Sequence, residues 1–175
     1  GVEDIDLSLL EENLGKLRRV KEASVIKRSR NKILVTIHEK KPVFIVNTND
    51  SLYEVDDDFT LVSIDDVRES GVCVLSGDFK LENGRFNGTL FKDLANSVSR
   101  AFRMYPELKN RISEVSLRKG GLVIHIFAPK KLKVLMGNTL DTTQVRKLYA
   151  SLAYFENQNM EVNTLDLRGD DAVFQ

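Results

Sequence analysis

One cysteine, two histidines, three prolines and no tryptophan set the first limits on this 175-residue chain. A lone Cys73 cannot close an intrachain disulfide, so cysteine content does not set the redox compartment. It lies in the apolar run Val72-Cys73-Val74-Leu75, the setting of a small buried residue rather than of a nucleophile. His38 and His125 are far apart, and no G-x-S-x-G, P-loop, G-x-G-x-x-G or Cys/His metal spacing accompanies them. The expectation is a non-catalytic protein without cofactor or bound metal. Asp56-Asp57-Asp58 lacks the spaced acids and distal glutamate of a calcium loop and reads as a solvated hairpin turn.

Neither sign of charge dominates: 26 Lys and Arg face 26 Asp and Glu, which gives no reason to expect nucleic acid as a partner. There is no run of 18 apolar residues and no signal-peptide pattern, so the sequence as given reads as a region outside the membrane. The charge is nevertheless uneven. Residues 16–41 hold ten basic side chains against two acidic ones, and residues 50–69 hold eight acidic ones against one arginine. These are two solvated surfaces of opposite sign, or a basic face that meets an acidic partner or anionic lipid headgroups.

What is present is enough apolar residue, 42%, for one full core and a smaller one. Leu7, Leu10, Leu14 and Leu17 follow an N-capping Asp6 at helical spacing, with Glu11 and Glu12 placed near the favourable positive end and Gly15 in the last turn. Val20, Ala23 and Val25 then lead into an alternation: Ile33, Val35 and Ile37 on one face, Leu34, Thr36 and His38 on the other. That period of two predicts a strand buried mainly on one side. Pro42 stops the ladder because it has no N–H to donate, and an apolar run restarts at Val43. Two units therefore meet with almost no linker. Residues 39–46 are expected to join them semi-rigidly.

In the second unit, Phe91, Leu94, Ala95, Val98, Ala101, Phe102 and Tyr105 form one helical stripe, capped by Thr89 or Asn87. Two apolar runs, 112–117 and 122–127, flank Arg118-Lys119-Gly120-Gly121, where glycine accepts the positive φ of a primed hairpin turn. The second run is apolar on both faces and should be a central strand. Residues 132–137 make a further strand. Asp141-x-x-Gln144 is a capping-box variant opening a helix with Val145, Leu148, Tyr149, Leu152 and Phe155. A final strand is expected to begin near Glu161 and to run to about Val173, with no later strand to cover it. Gly169, Asp170 and Asp171 interrupt it, either as a guard against self-pairing or as a turn.

These segments, in this order, carry a resemblance. Leu17, Val20, Ala23, Val25, Arg28, Asn31, Ile33, Val35, Ile37, Glu39, Pro42 and Val43 at their spacings resemble the FtsQ/DivIB family of bacterial cell-division proteins. So do Leu52 to Phe59, Val74-Leu75-Ser76-Gly77, the strand end at Gly137, and above all Val162-x-x-Leu165-Asp166-Leu167-Arg168. Arg18, Ser29-Arg30 and Gly169 stand where the family often carries proline, Trp-Pro and an aromatic residue. The resemblance implies an α+β protein: a truncated POTRA-type unit over residues 1–43, then a β-domain over 44–175, a largely antiparallel sheet with two helices on one face. It also implies a first POTRA strand and helix, and one transmembrane helix, outside this sequence, which places the region extracytoplasmically at the inner membrane of the division septum.

By the same resemblance the function is a scaffold that binds FtsB and FtsL and helps to control septal peptidoglycan synthesis, with FtsK a further partner of the POTRA unit. A POTRA-type periplasmic module of an outer-membrane transport or assembly system is the alternative. The implied docking residues are Val162, Thr164, Leu165, Asp166, Leu167, Arg168, Gly169, Asp170, Ala172 and Val173 along the last strand, which a partner strand would extend by β-augmentation. Arg168 would grip a partner carboxylate or else bond acids of its own domain. Arg118 or Lys119 would supply positive charge beside that strand, or be ordinary exposed charge at a hairpin.

Overall fold

The computed structural model describes residues 4–175, so the first three residues of the expected N-terminal unit lie outside the described residues. Asp6 caps the first helix, α1 (Leu7–Gly15), by accepting the Leu9 N–H at 3.0 Å. Two antiparallel strands follow, β1 (Val20–Ser29) and β2 (Lys32–Glu39), forming a sheet of their own. Glu11 and Glu12 are not at the positive end of α1, as the sequence suggested, because the first turn holds no acid. Glu12 pairs instead with Lys16 at 2.7 Å, and the Glu11 carboxylate accepts the Val25 N–H at 2.8 Å on the outer edge of β1. The expected burial of one face of β2 is also corrected: Val35 and Ile37 are 40% and 44% exposed, and Leu34 on the other face is 37% exposed. α1 packs chiefly on β1, so the alternation makes a strand without making a core. From residue 4 to residue 39 only Val20 and Val25 are buried.

Pro42 is buried in the four-residue connection, and the Val43 N–H donates to Val55 O at 2.8 Å, starting the second unit at once. There β3 (Phe44–Asn47), β4 (Leu52–Val55) and β5 (Leu61–Ile64) make an antiparallel meander. Next come β6 (Cys73–Ser76), α2 (Thr89–Met104), a 3-10 turn at Pro106–Asn110, β7 (Ile112–Arg118), β8 (Gly121–Ile126), β9 (Leu132–Leu135), α3 (Thr142–Asn157), β10 (Thr164–Asp166) and β11 (Val173–Phe174). The nine strands lie in the order β11-β10-β9-β8-β7-β6-β3-β4-β5. Five neighbouring pairs are antiparallel and three are parallel. The protein is α+β, as expected, with β8 between β7 and β9.

Topology explains why both helices share a face. β6–α2–β7 and β9–α3–β10 are crossovers between parallel neighbours, and both step along the sheet in the same direction. β7 and β9 also run the same way, each antiparallel to β8. Two right-handed crossovers of equal direction must put their helices on the same side. The core is therefore one layer. Phe91, Leu94, Val98 and Ala101 of α2 and Val145, Leu148, Leu152 and Phe155 of α3 pack on Leu75, Val115, Ile124, Val134 and Leu165. Phe59, Phe79 and Phe86 surround Phe91, each with its ring centroid 5.2 Å away.

Local signals divide into those the backbone follows and those it redirects. The capping box is formed: the Gln144 N–H donates to Asp141 Oδ1 at 2.8 Å, and the Asp141 N–H donates to Gln144 Oε1 at 2.9 Å. Asp56 holds the acidic turn by accepting the Asp58 and Thr60 N–H groups at 3.0 and 2.9 Å, an Asx arrangement. α2, by contrast, is capped by Gly88 with no side-chain bond, not by Thr89 or Asn87, since the chain is still extended at Gly88 (φ −59°, ψ 142°). The β7–β8 turn is not a primed one either. Its central residues are Lys119 and Gly120, and the positive φ falls beyond them on Gly121, at +115°. A Cβ at Gly121 would lie 2.8 Å from Met136 O, so glycine is required there by both conformation and space.

Candidate protein-docking edge

The β9–α3–β10 crossover delivers β10 to one side of the sheet. Leu165 and Leu167 are buried under α3, and the Leu167 N–H donates to Leu135 O at 2.8 Å. The chain then leaves the sheet through residues 168–172. Lys147 of α3 secures that loop by donating to Gly169 O at 2.8 Å and Asp170 O at 2.6 Å. It returns as β11, antiparallel to β10. The expected single strand is thus two short strands separated by a loop, with the first starting at Thr164 rather than near Glu161. A later strand does cover β10, because the acids and Gly169 form a turn that brings the terminus back. Among the described residues, the edge on this side of the sheet is β11.

Its backbone has free capacity. Thr164 and Gln175 exchange N–H···O bonds of 3.1 Å in both directions. In an antiparallel ladder the adjacent pair, Leu165 and Phe174, is then the non-bonded one. The N–H and C=O of Phe174 therefore point away from β10, ready to pair with an added strand. The Phe174 ring packs on Phe155 at 5.0 Å. Beside it Ala150, Tyr154, Phe155, Ala172 and Phe174, with Lys147 and Ser151 at its polar rim, line a groove of about 260 Å³. Tyr154 and Phe174 are 53% and 41% exposed, an apolar patch at the groove, while Val173, 64% exposed, points to the other face of the sheet.

Asp166 and Arg168 lie at the start of the loop. The Arg168 guanidinium forks the Asp166 carboxylate at 2.9 and 2.6 Å, and the Arg168 N–H adds a third bond of 3.0 Å. Those bonds hold Asp166 at about 2 and raise Arg168 above its ordinary value. Arg168 thus pairs with an acid of its own domain. Of the anticipated residues, Asp166, Arg168, Ala172 and Val173 come together around β11, and Thr164 is half-buried beside them. Gly169 and Asp170 sit in the loop, their carbonyls held by Lys147. Val162, Leu165 and Leu167 are core side chains facing α3, out of reach of a partner. Arg118 and Lys119 are exposed but not beside the last strand, because β8 and β9 stand between β7 and β10. Tyr154, Phe174 and Lys147 were not anticipated. Tyr154 carried the one readable signal, an aromatic residue outside the stripe of Val145, Leu148, Leu152 and Phe155.

Elsewhere, polar clusters serve the fold. Burial pushes the Glu114 carboxyl up, but hydrogen bonds from Ser76 (2.6 Å) and Ser116 (2.7 Å) outweigh it and leave it lowered. Burial, reinforced by the charge of Glu114, pushes the Cys73 thiol up to about 12, so the thiolate is inaccessible near neutral pH. Among the described residues no group of three or more His, Cys, Asp or Glu is placed to hold a metal ion, and no helix is long and apolar enough to cross a membrane. Comparison with known proteins adds no family: no family model matches the chain, and no curated protein matches it significantly.

Proposed function

We propose that this chain is an extracytoplasmic scaffold of the bacterial division complex, of FtsQ/DivIB type, which binds FtsB and through it FtsL at the β11 edge. The observation that carries this reading is the open β11 edge beside the apolar groove of Tyr154 and Phe174. A strand of FtsB would pair with Phe174 and Ala172, and an apolar side chain beside it would fill the groove. Arg168 would exchange Asp166 for a partner carboxylate, an exchange its 52% exposure permits. In this reading the protein does no chemistry. It is held in the inner membrane by a single helix, its α1–β1–β2 unit meets recruiting partners such as FtsK, and it controls septal peptidoglycan synthesis through those it assembles.

Titration calorimetry of the chain against the C-terminal region of FtsB tests the reading. Phe174→Pro removes the outward N–H and should abolish measurable binding. Phe174→Leu keeps the N–H and an apolar side chain and should bind within about tenfold of wild type. Arg168→Glu should lose roughly 2–5 kcal/mol when the pair is desolvated on association. Wild-type affinity in Phe174→Pro with an unchanged melting curve overturns the assignment of β11.

A further inference from the structure

Among the described residues, the large buried cluster of the second unit begins at Phe44 and contains nothing from the N-terminal unit. A polar contact between them converges on Arg19. Arg19, immediately before β1, places Nη2 2.7 Å from Glu54 Oε1 and 3.2 Å from Asp66 Oδ2, and also donates to the Asp66 carbonyl. Glu54 is fully buried on β4, where its carboxylate also accepts the Ser63 hydroxyl at 2.6 Å and the N–H groups of Arg68 (3.2 Å) and Glu69 (2.9 Å). The Arg19 carbonyl accepts the Lys40 N–H at 2.7 Å, and Lys40 Nζ reaches Leu61 O at 3.3 Å. The two ends of the hairpin are thereby tied to each other and to β4 and β5.

We propose that Arg19, Glu54 and Asp66 form an orientation latch, which fixes the N-terminal unit on the sheet and couples it to the 65–71 loop. The contact is asymmetric. Without Arg19, Glu54 still accepts from a hydroxyl and two backbone N–H groups, so its buried carboxylate stays hydrogen-bonded and the nine-stranded domain keeps its fold. Arg19, at 22% side-chain exposure, touches water and is free to leave. With the latch open, residues 40–43 become the pivot, because the large buried cluster of the second unit does not extend across the joint. With it closed, the loop and the hairpin move as one body, since Asp66 accepts from Arg19 while the Arg68 and Glu69 amides share the Glu54 carboxylate with it.

Nitrogen-15 relaxation on the whole chain tests this. In the wild type, residues 5–39 and 44–172 should report one rotational correlation time. In Arg19→Gln the value for residues 5–39 should fall by roughly one and a half-fold or more, and the Arg68 and Glu69 amides should gain exchange broadening. The melting temperature of the nine-stranded domain should not change. Glu54→Gln removes the charge from the other side and should loosen the same residues, and Arg19→Lys should restore part of the rigidity. A single correlation time in Arg19→Gln, or independent tumbling in the wild type, overturns the latch.

Discussion

Two hairpins in this molecule have the same kind of sequence and opposite fates. β1–β2 and β7–β8 are both antiparallel pairs closed by two-residue turns, each with an apolar alternation on its second strand. Leu122, Ile124 and Ile126 on β8 are all buried, whereas Val35 and Ile37 on β2 are 40% and 44% exposed. The difference is what lies opposite. α2 and α3 cover the β8 row, while the β2 row has only α1, which sits over the neighbouring strand. Periodicity thus fixes local geometry and leaves burial to the partners that topology supplies.

The sharpest way to break this comparison is to remove apolar volume from each unit in turn. Phe91 is 1% exposed and surrounded by three phenylalanines. Phe91→Ala should cost about 3–5 kcal/mol in urea unfolding, through lost burial and the cavity left behind. Val35→Ala should stay within about 0.5 kcal/mol, because its side chain is already wet. A comparable loss at Val35 would show that its face is covered in solution and would undo the contrast.

A second effect separates the hairpin turns. Gly121→Ala forces a Cβ into a φ of +115° and to 2.8 Å from the Met136 carbonyl just beyond β9. The expected loss is about 1–3 kcal/mol. The β1–β2 turn has no positive φ at Arg30 or Asn31, so Asn31→Ala should be near neutral by the same thermal melt.

These contrasts also mark how far the sequence was legible. The α2 and α3 stripes, the capping box at Asp141 and the turn role of Asp56 rest on patterns within one element or one turn, and the central place of β8 on apolar residues on both its faces, so each could be read from spacing. The placement of Glu11, the cap at Gly88 and the turn at Lys119-Gly120 depended on where a backbone bond falls within a residue or two. The docking edge was legible only in outline. Its last strand was recognisable from Leu165 and Leu167, but those residues are core. The edge itself is two residues at Val173–Phe174, too short to carry a period. The Arg19–Glu54 contact was invisible, since nothing in a sequence relates residues 35 positions apart in different units.

Capping chemistry gives a third, smaller test. Asp141→Ala should lower global stability by about 1 kcal/mol, because α3 is packed into the core and its fraying exposes Val145. Asp6 caps α1 with a bond of similar length, yet α1 buries none of its residues. Asp6→Ala should therefore speed amide exchange at Leu9 without moving the main unfolding transition. A shared drop in melting temperature would mean that the units unfold together.

The smallest expected effect compares the two arginine–carboxylate contacts at opposite ends of the sheet. Burial pushes the Glu54 carboxyl up, but bonds from Ser63, the Glu69 N–H, Arg19 and the Arg68 N–H overcome it, so it ends below the ordinary range. Asp166 is held at about 2, chiefly by the guanidinium and then the N–H of Arg168. In both cases the folded carboxyl is the stronger acid. Its stabilisation is complete above the ordinary carboxylate range and is lost as pH falls through the folded value, for Asp166 between about pH 4 and pH 2. Arg168 is 52% exposed, so solvent screens the pair and its contribution should be small. Asp166→Asn should accordingly flatten the acid limb of a stability–pH curve only slightly, and the difference from wild type should shrink further in 1 M salt, where the screening length is about 3 Å. Glu54→Gln should flatten the same limb more, with little salt dependence, because its carboxylate is out of water. Equal flattening by the two substitutions would place Asp166 and Arg168 in a drier setting than their exposure implies, and would leave Arg168 less free to exchange its partner.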